Sequence, residues 1–221
     1  MRLRRGSALV VTIGVVATAG SVAYRMRIRP WLAHWGATDD EVDAALPGDE
    51  LVDGNGPRTT RAVTIDAPTA AVWPWLAQIG EDRAGFYSYA WLERLAGCDM
   101  QNATAIRPDW AHHDAGETVW LARRYREMGR QVVARIETER VFSMVSPADW
   151  DAITRGEHAS GAWTFALEPT VDGRTRLLAR GSGGAVGTFA FDVAHFVMEQ
   201  KMMRGIKERA ERAGGEARAE A

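Results

Sequence analysis

Asp192, His195 and Glu199 are spaced three and four residues apart, the separation that brings side chains together on one face of a helix. Carboxylates flanking an imidazole can orient it for proton transfer, provided that the ring faces a cavity. The apolar residues around them form two sets, Phe189/Val193/Phe196/Met203 and Phe191/Met198/Met202. The first set is expected to face a sheet, and helical periodicity places His195 nearer the second. That second face then needs a cover, from the domain's own loops, a ligand, a membrane or a partner protein. No catalytic residue is assigned. His195 and Glu93 are the candidates, Glu93 as an acid or base alongside Tyr87 or Tyr89.

Other constellations lack a part that their chemistry requires. His112-His113-Asp114 offers metal-ligand types, but adjacent residues in an extended segment point apart, and no H-x-x-x-H or H-E-x-x-H helix completes a site. Solvent-facing loop histidines are expected there, and no metal. Gly181 to Gly187 precedes a helix yet lacks the Gly-Lys-Ser/Thr ending of a phosphate loop, so it reads as a flexible strand-to-helix turn. No G-x-S-x-G elbow occurs, and the single cysteine, Cys98, supports neither a disulfide framework nor a zinc knuckle. No cofactor is implied.

Aromatic residues offer more. Trp75, Tyr87, Tyr89, Trp91, Trp110, Trp163, Phe165 and Phe196 supply large apolar faces and a few polar tips, the mixture with which a cavity buries a hydrophobic ligand and fixes its head. Ordinary core packing is the competing use of each. Glu93, Asp99 and Asn102 could anchor a ligand's polar end or cap local turns.

These residues must be positioned by a recognisable series of elements. Thr38-Asp39-Asp40-Glu41 has the capping-box form and starts a short acidic helix ending near Leu46. Val63 and Ile65 alternate with polar residues as a first strand. A helix follows Pro68, bent by Pro74 and closed at Gly80, and a second spans Ala90 to Leu95. Strands are predicted over Glu117 to Ala122, Gln131 to Thr138, Val141 to Val145, Ser160 to Glu168 and Thr175 to Gly181, antiparallel by their short connections. A long helix runs from about Thr188 to Arg212, before a polar tail at 214–221 expected to fray.

At the N-terminus, Ser7 to Tyr24 carries no formal charge and lies between Arg2/Arg4/Arg5 and Arg25/Arg27/Arg29. As a helix it would span roughly 27 Å, enough for one membrane crossing with snorkelling flanks. The reading is a retained single-pass anchor in the cell membrane. The alternatives are an exported chain cleaved after Ala17-Thr18-Ala19 and a buried core helix. Three arginines on each flank give no orientation. The 221-residue chain divides into an anchor and juxtamembrane segment at 1–35, a linker with the acidic helix at 36–57, one domain at 58–213 and the tail. A net charge of −2, with Lys201 and Lys207 the only lysines, gives no basic field for nucleic acid.

The segments TIDAPTAAVWPWLAQIG, GFYSYAWLERLAGCDMQNA and IRPDWAHHDAGETVWL, between Thr60 and Leu121, resemble a bacterial branch of the START-like superfamily, the polyketide cyclase/dehydratase and lipid transport group. The likeness extends more loosely to about Arg212. It implies an α+β helix-grip fold, in which a curved antiparallel sheet wraps a long C-terminal helix, and a pocket for a lipid, isoprenoid or polyketide-like molecule. It implies no particular reaction, since fold and function separate readily. The expectation is a membrane-tethered domain that binds or presents a hydrophobic small molecule, with a cyclase- or dehydratase-like enzyme and a membrane-proximal interaction module as alternatives.

Overall fold

The computed structural model describes residues 24–219, with side chains as far as residue 215. The apolar run from Ser7 therefore lies, apart from Tyr24, outside the described residues. Among the described residues no helix is long and apolar enough to cross a membrane. Tyr24–Ile28 forms a π-type turn that leads into α1 (Arg29–Ala33). Next comes α2 (Asp39–Asp43), where Thr38 and Glu41 make both bonds of the capping box as read from the sequence.

The main layer is a curved antiparallel sheet of six strands in the order β1-β6-β5-β4-β3-β2. Its members are β1 (Arg58–Ile65), β2 (Thr118–Trp120), β3 (Arg130–Glu137), β4 (Val141–Val145), β5 (Gly161–Pro169) and β6 (Thr175–Gly183). β2 to β6 form a meander in which each strand pairs with the next, and β1 closes the far edge against β6. Between β1 and β2 lie α3 (Thr69–Ala77), with Pro74 inside it, and α4 (Ala90–Leu95). A further helix, α5 (Pro147–Thr154), was not expected. Its sequence signal is Ser146-Pro147-Ala148-Asp149, in which the Ser146 hydroxyl accepts the Asp149 N–H and proline takes the first helical position.

The last element, α6 (Phe189–Ala219), runs beyond the expected end near Arg212 and continues through Gly214 and Gly215. With α3 it covers the inner face of the sheet, where Ile65, Phe142, Met144, Phe165, Leu167, Leu177 and Ala179 are buried with Leu76, Met203 and Ile206. Strand alternation sends Ala62, Ala166 and Leu178 to the opposite face. There they meet Leu46 from the segment expected to be a linker, so both faces of the sheet carry an apolar layer.

Candidate functional site

Opposite Trp163 on β5, the paired residue of β6 is Gly181, and Gly161 pairs with Gly183. Small residues continue through Gly184 and Ala185 into the turn before α6. Where these strand ends pass beneath the first turns of α6, a void remains. This cavity has a volume of about 410 Å³ and lies between the ends of β5 and β6, the N-terminal half of α6 and the segment around α4. That volume lies within the ordinary range for small-molecule sites, about 300–1,000 Å³. A recess beside Leu46 and Pro47 is larger, about 720 Å³, but its charged members Glu139 and Arg140 face solvent.

From α6 the cavity receives Phe191, His195, Met198, Glu199 and Met202, a stripe at helical spacing. The expected facing of this helix is thus corrected. The Phe191/Met198/Met202 set lines the cavity, while Phe189 is 63% exposed and Phe196 packs on Trp31 and Trp35 at ring distances of 5.0 and 6.3 Å. Both faces are apolar, so periodicity could group the residues without deciding which group the sheet would take.

His195 and Glu199 belong to a buried polar cluster. The Glu199 carboxylate accepts a hydrogen bond from the Arg61 guanidinium through one oxygen and from the Trp163 indole N–H, at 2.6 Å, through the other. Arg61 also donates to the Leu32 carbonyl at 2.7 Å, and its Nη1 lies 3.1 Å from His195 Nδ1. A guanidinium can only donate, so Nδ1 is the acceptor and the imidazole proton resides on Nε2. Burial lowers the His195 pKa; Arg61 adds to that shift, while Glu199 and Asp192 oppose it. For Glu199, burial acts to raise the pKa, but His195, Arg61 and the two hydrogen bonds outweigh it and hold the carboxyl below its ordinary value.

Glu93 has the opposite environment. It projects from α4 into the cavity wall, only 8% exposed, and its Oε2 is buried without a hydrogen-bond partner. Burial, reinforced by Glu81 and opposed by Arg94, pushes its pKa up to about 7. The cavity thus carries a carboxyl poised near neutrality and a neutral imidazole, both capable of proton exchange.

Among the aromatic candidates, only Trp163 lines this cavity. Trp75 and Tyr87 are buried in the core, ring to ring at 6.0 Å, and the Tyr87 hydroxyl accepts from Gln78 Nε2 at 2.8 Å. Phe165 is fully buried, tilted against Trp163 at 4.8 Å. Tyr89 is the half-buried residue before α4, and Trp91 on α4 is 61% exposed. Trp110 is half-buried beneath the Arg107 guanidinium, 4.8 Å from its ring. Trp75, Tyr87 and Phe165 thus serve as core, and Tyr89, Trp91 and Trp110 lie outside this cavity. Phe86 and Ser88, from the loop before α4, line the cavity but were not named. The Gly181–Gly187 turn, expected only as a flexible connection, supplies Gly181 to Val186 to the cavity wall.

The expectation for His113 also changes. It is buried, with Nδ1 3.0 Å from Glu117 and Nε2 2.8 Å from the Ala77 carbonyl, whereas His112 is exposed. Among the described residues no group of His, Cys, Asp or Glu could hold a metal ion.

No protein-family model matches the chain. No curated protein matches it either. Among solved structures it is similar to protein NE0264 from Nitrosomonas europaea, at 13% identity over 76% of this chain and 99% of that one, with a TM-score of 0.44. Protein MLL2253 from Mesorhizobium loti is 16% identical over 71% and 98% of the two chains, with a TM-score of 0.41. Protein Ms6760 from Mycobacterium smegmatis is 12% identical over 79% and 98%, again with a TM-score of 0.41. Likeness at these values is loose and assigns no function.

Proposed function

We propose that this chain is a START-like domain of the helix-grip type that holds a hydrophobic small molecule, of lipid, isoprenoid or polyketide-like character, in the cavity between α6 and the sheet. The observation that carries the reading is a void of about 410 Å³ walled by Phe86, Met100, Trp163, Met198 and Met202. An apolar cavity of this size excludes water poorly matched to its walls and rewards an apolar occupant. The segment from Ser7 to Tyr24 would tether the domain to the cell membrane and raise the local concentration of a membrane-dissolved ligand.

Native mass spectrometry of the full chain after extraction in a mild detergent tests this reading. The expected result is a co-purifying small molecule, retained less by a Met202→Trp variant that fills the cavity. An empty wild-type protein that also takes up no added lipid would overturn it.

The placement of Glu93 favours a second reading, a cyclase- or dehydratase-like enzyme that uses the same cavity, because a carboxyl with a pKa of about 7 suits general acid or base work at neutral pH. Turnover of a polyketide-like substrate that is lost in Glu93→Gln would support it.

A further inference from the structure

Hydrogen-bond bookkeeping around the cavity separates acids that are already satisfied from one that is not. Ser88 donates to the Met198 carbonyl at 3.0 Å. Asp149 accepts the Ser160 N–H at 2.7 Å through one oxygen and the Ser146 hydroxyl, also at 2.7 Å, through the other. Both oxygens of Glu199 are taken, by Arg61 and Trp163, and His195 Nδ1 receives Arg61. Glu93 alone among these acids brings a carboxylate oxygen that is buried and unpartnered. Leaving such an acceptor unpaired is costly, more so if it is charged, and a ligand that supplied the missing donor would recover that cost on binding.

Resting on the proposed ligand cavity, we infer that its occupant is an amphiphile whose polar end is a hydrogen-bond donor, an amine or a hydroxyl, seated against Glu93 Oε2, with its apolar body along Trp163, Met198 and Met202. The polar end is selected by sign as well as by shape. Above pH 7, where Glu93 is ionised, a carboxylate or phosphate head would set a second anion against it, whereas an ammonium or hydroxyl answers its open acceptor. Arg61 keeps a buried Nη2 without a partner, but it lies outside the cavity lining and its charge is paired with Glu199, so it does not reverse this preference. Glu93 is thus a specificity-determining residue, and the rest of the wall supplies mainly apolar area.

Decylamine, decanol and decanoate share an apolar body and differ in the head. Each is titrated at pH 8.5, where Glu93 is ionised, against the full chain in lipid nanodiscs, with bound probe counted by native mass spectrometry for the wild type and Glu93→Gln in identical discs. Decylamine and decanol are expected to bind about tenfold more tightly than decanoate, the difference one charge-assisted hydrogen bond supplies. In Glu93→Gln the preference should shrink to about twofold or less. Decylamine ahead of decanol would identify an ion pair, and equal binding a neutral hydrogen bond; either supports the donor-head assignment. Decanoate binding as tightly as the others to the wild type overturns it without reference to any variant, as does a preference that survives in Glu93→Gln. Equal binding of all three would leave the apolar cavity reading standing, whereas binding of none would remove both.

Discussion

Two glutamates border one cavity and receive opposite treatment from it. Glu199 is paired through both oxygens and held ionised, while Glu93 keeps an orphaned oxygen and a pKa of about 7. The second arrangement has a consequence for stability. The Glu93 carboxyl has its ordinary pKa of 4.5 when unfolded and about 7 when folded, so the folded state holds the proton more tightly. Stability is therefore fully present below about pH 4.5, falls as pH rises through the window between the two values, and is level above about pH 7. At about 1.4 kcal/mol per unit the total loss is about 2–3 kcal/mol once some water access through the cavity is allowed for. Glu93→Gln removes the titration, so its thermal stability should match the wild type near pH 4 and exceed it increasingly towards pH 8. Melting curves across that range check the prediction; an offset independent of pH would show that the carboxyl carries no such penalty. The sequence offers Glu93 as a candidate acid, base or polar anchor but not its burial, which depends on α6 and the sheet ends, distant along the chain.

At the scale of elements, the approach of α6 to the loop before α4 sets the cavity's depth. Tyr87 sits at φ +55°, held by Asn102, whose Oδ1 accepts the Tyr87 N–H at 2.7 Å and whose Nδ2 donates to the Ser88 carbonyl at 3.0 Å. Against this turn lies Gly205 of α6, where a Cβ would fall 2.5 Å from the Tyr87 carbonyl oxygen and 2.7 Å from its Cβ. Gly205→Ala gains about 1 kcal/mol of helix propensity. The clash with backbone should outweigh this gain and leave a net destabilisation of about 1–2 kcal/mol. Chemical denaturation measures the balance; a stabilised variant would mean that the loop yields freely. The start of α2 and the extents of α4 and β4 are legible because a capping box, a following glycine and a short apolar run are local signals, whereas α2 ends at Asp43 and not near Leu46. The facing of α6 is not legible, since Phe191 and Phe196 are equally apolar and only the partners that meet them distinguish their roles.

For the molecule as a whole, residues 36–57 read as a linker in sequence because they contain short helices, turns and no long apolar run. In space they are strapped to the outer face of the sheet. Arg180 of β6, with a side chain 1% exposed, donates to the carbonyls of Ala44 and Glu41, each at 2.9 Å, and of Val42 at 3.1 Å, and pairs with Asp49 at 2.5 Å. Arg176 grips Glu41 at 2.6 Å, and Leu46 fills the layer formed by Ala62, Ala166 and Leu178. Backbone carbonyls have no sequence signature, so this clamp was invisible before the fold was known. A buried guanidinium stripped of its acceptors is costly, about 3–5 kcal/mol for a broken buried pair, and loss of the apolar cover adds to that. A chain beginning at Tyr24 should therefore unfold cooperatively on heating, while one beginning at Arg58 should fail to accumulate as folded protein or melt far lower. Equal melting temperatures would make the segment a spacer after all. The same clamp bears on the proposed tether: Tyr24, where the apolar run ends, meets Phe189 at the start of α6 edge-on at 4.8 Å, and Arg29 lies 3.4 Å from Asp192 one turn on. A membrane segment joined there would leave no slack before the helix that lines the cavity, and would hold the domain close to the surface from which an oily ligand arrives.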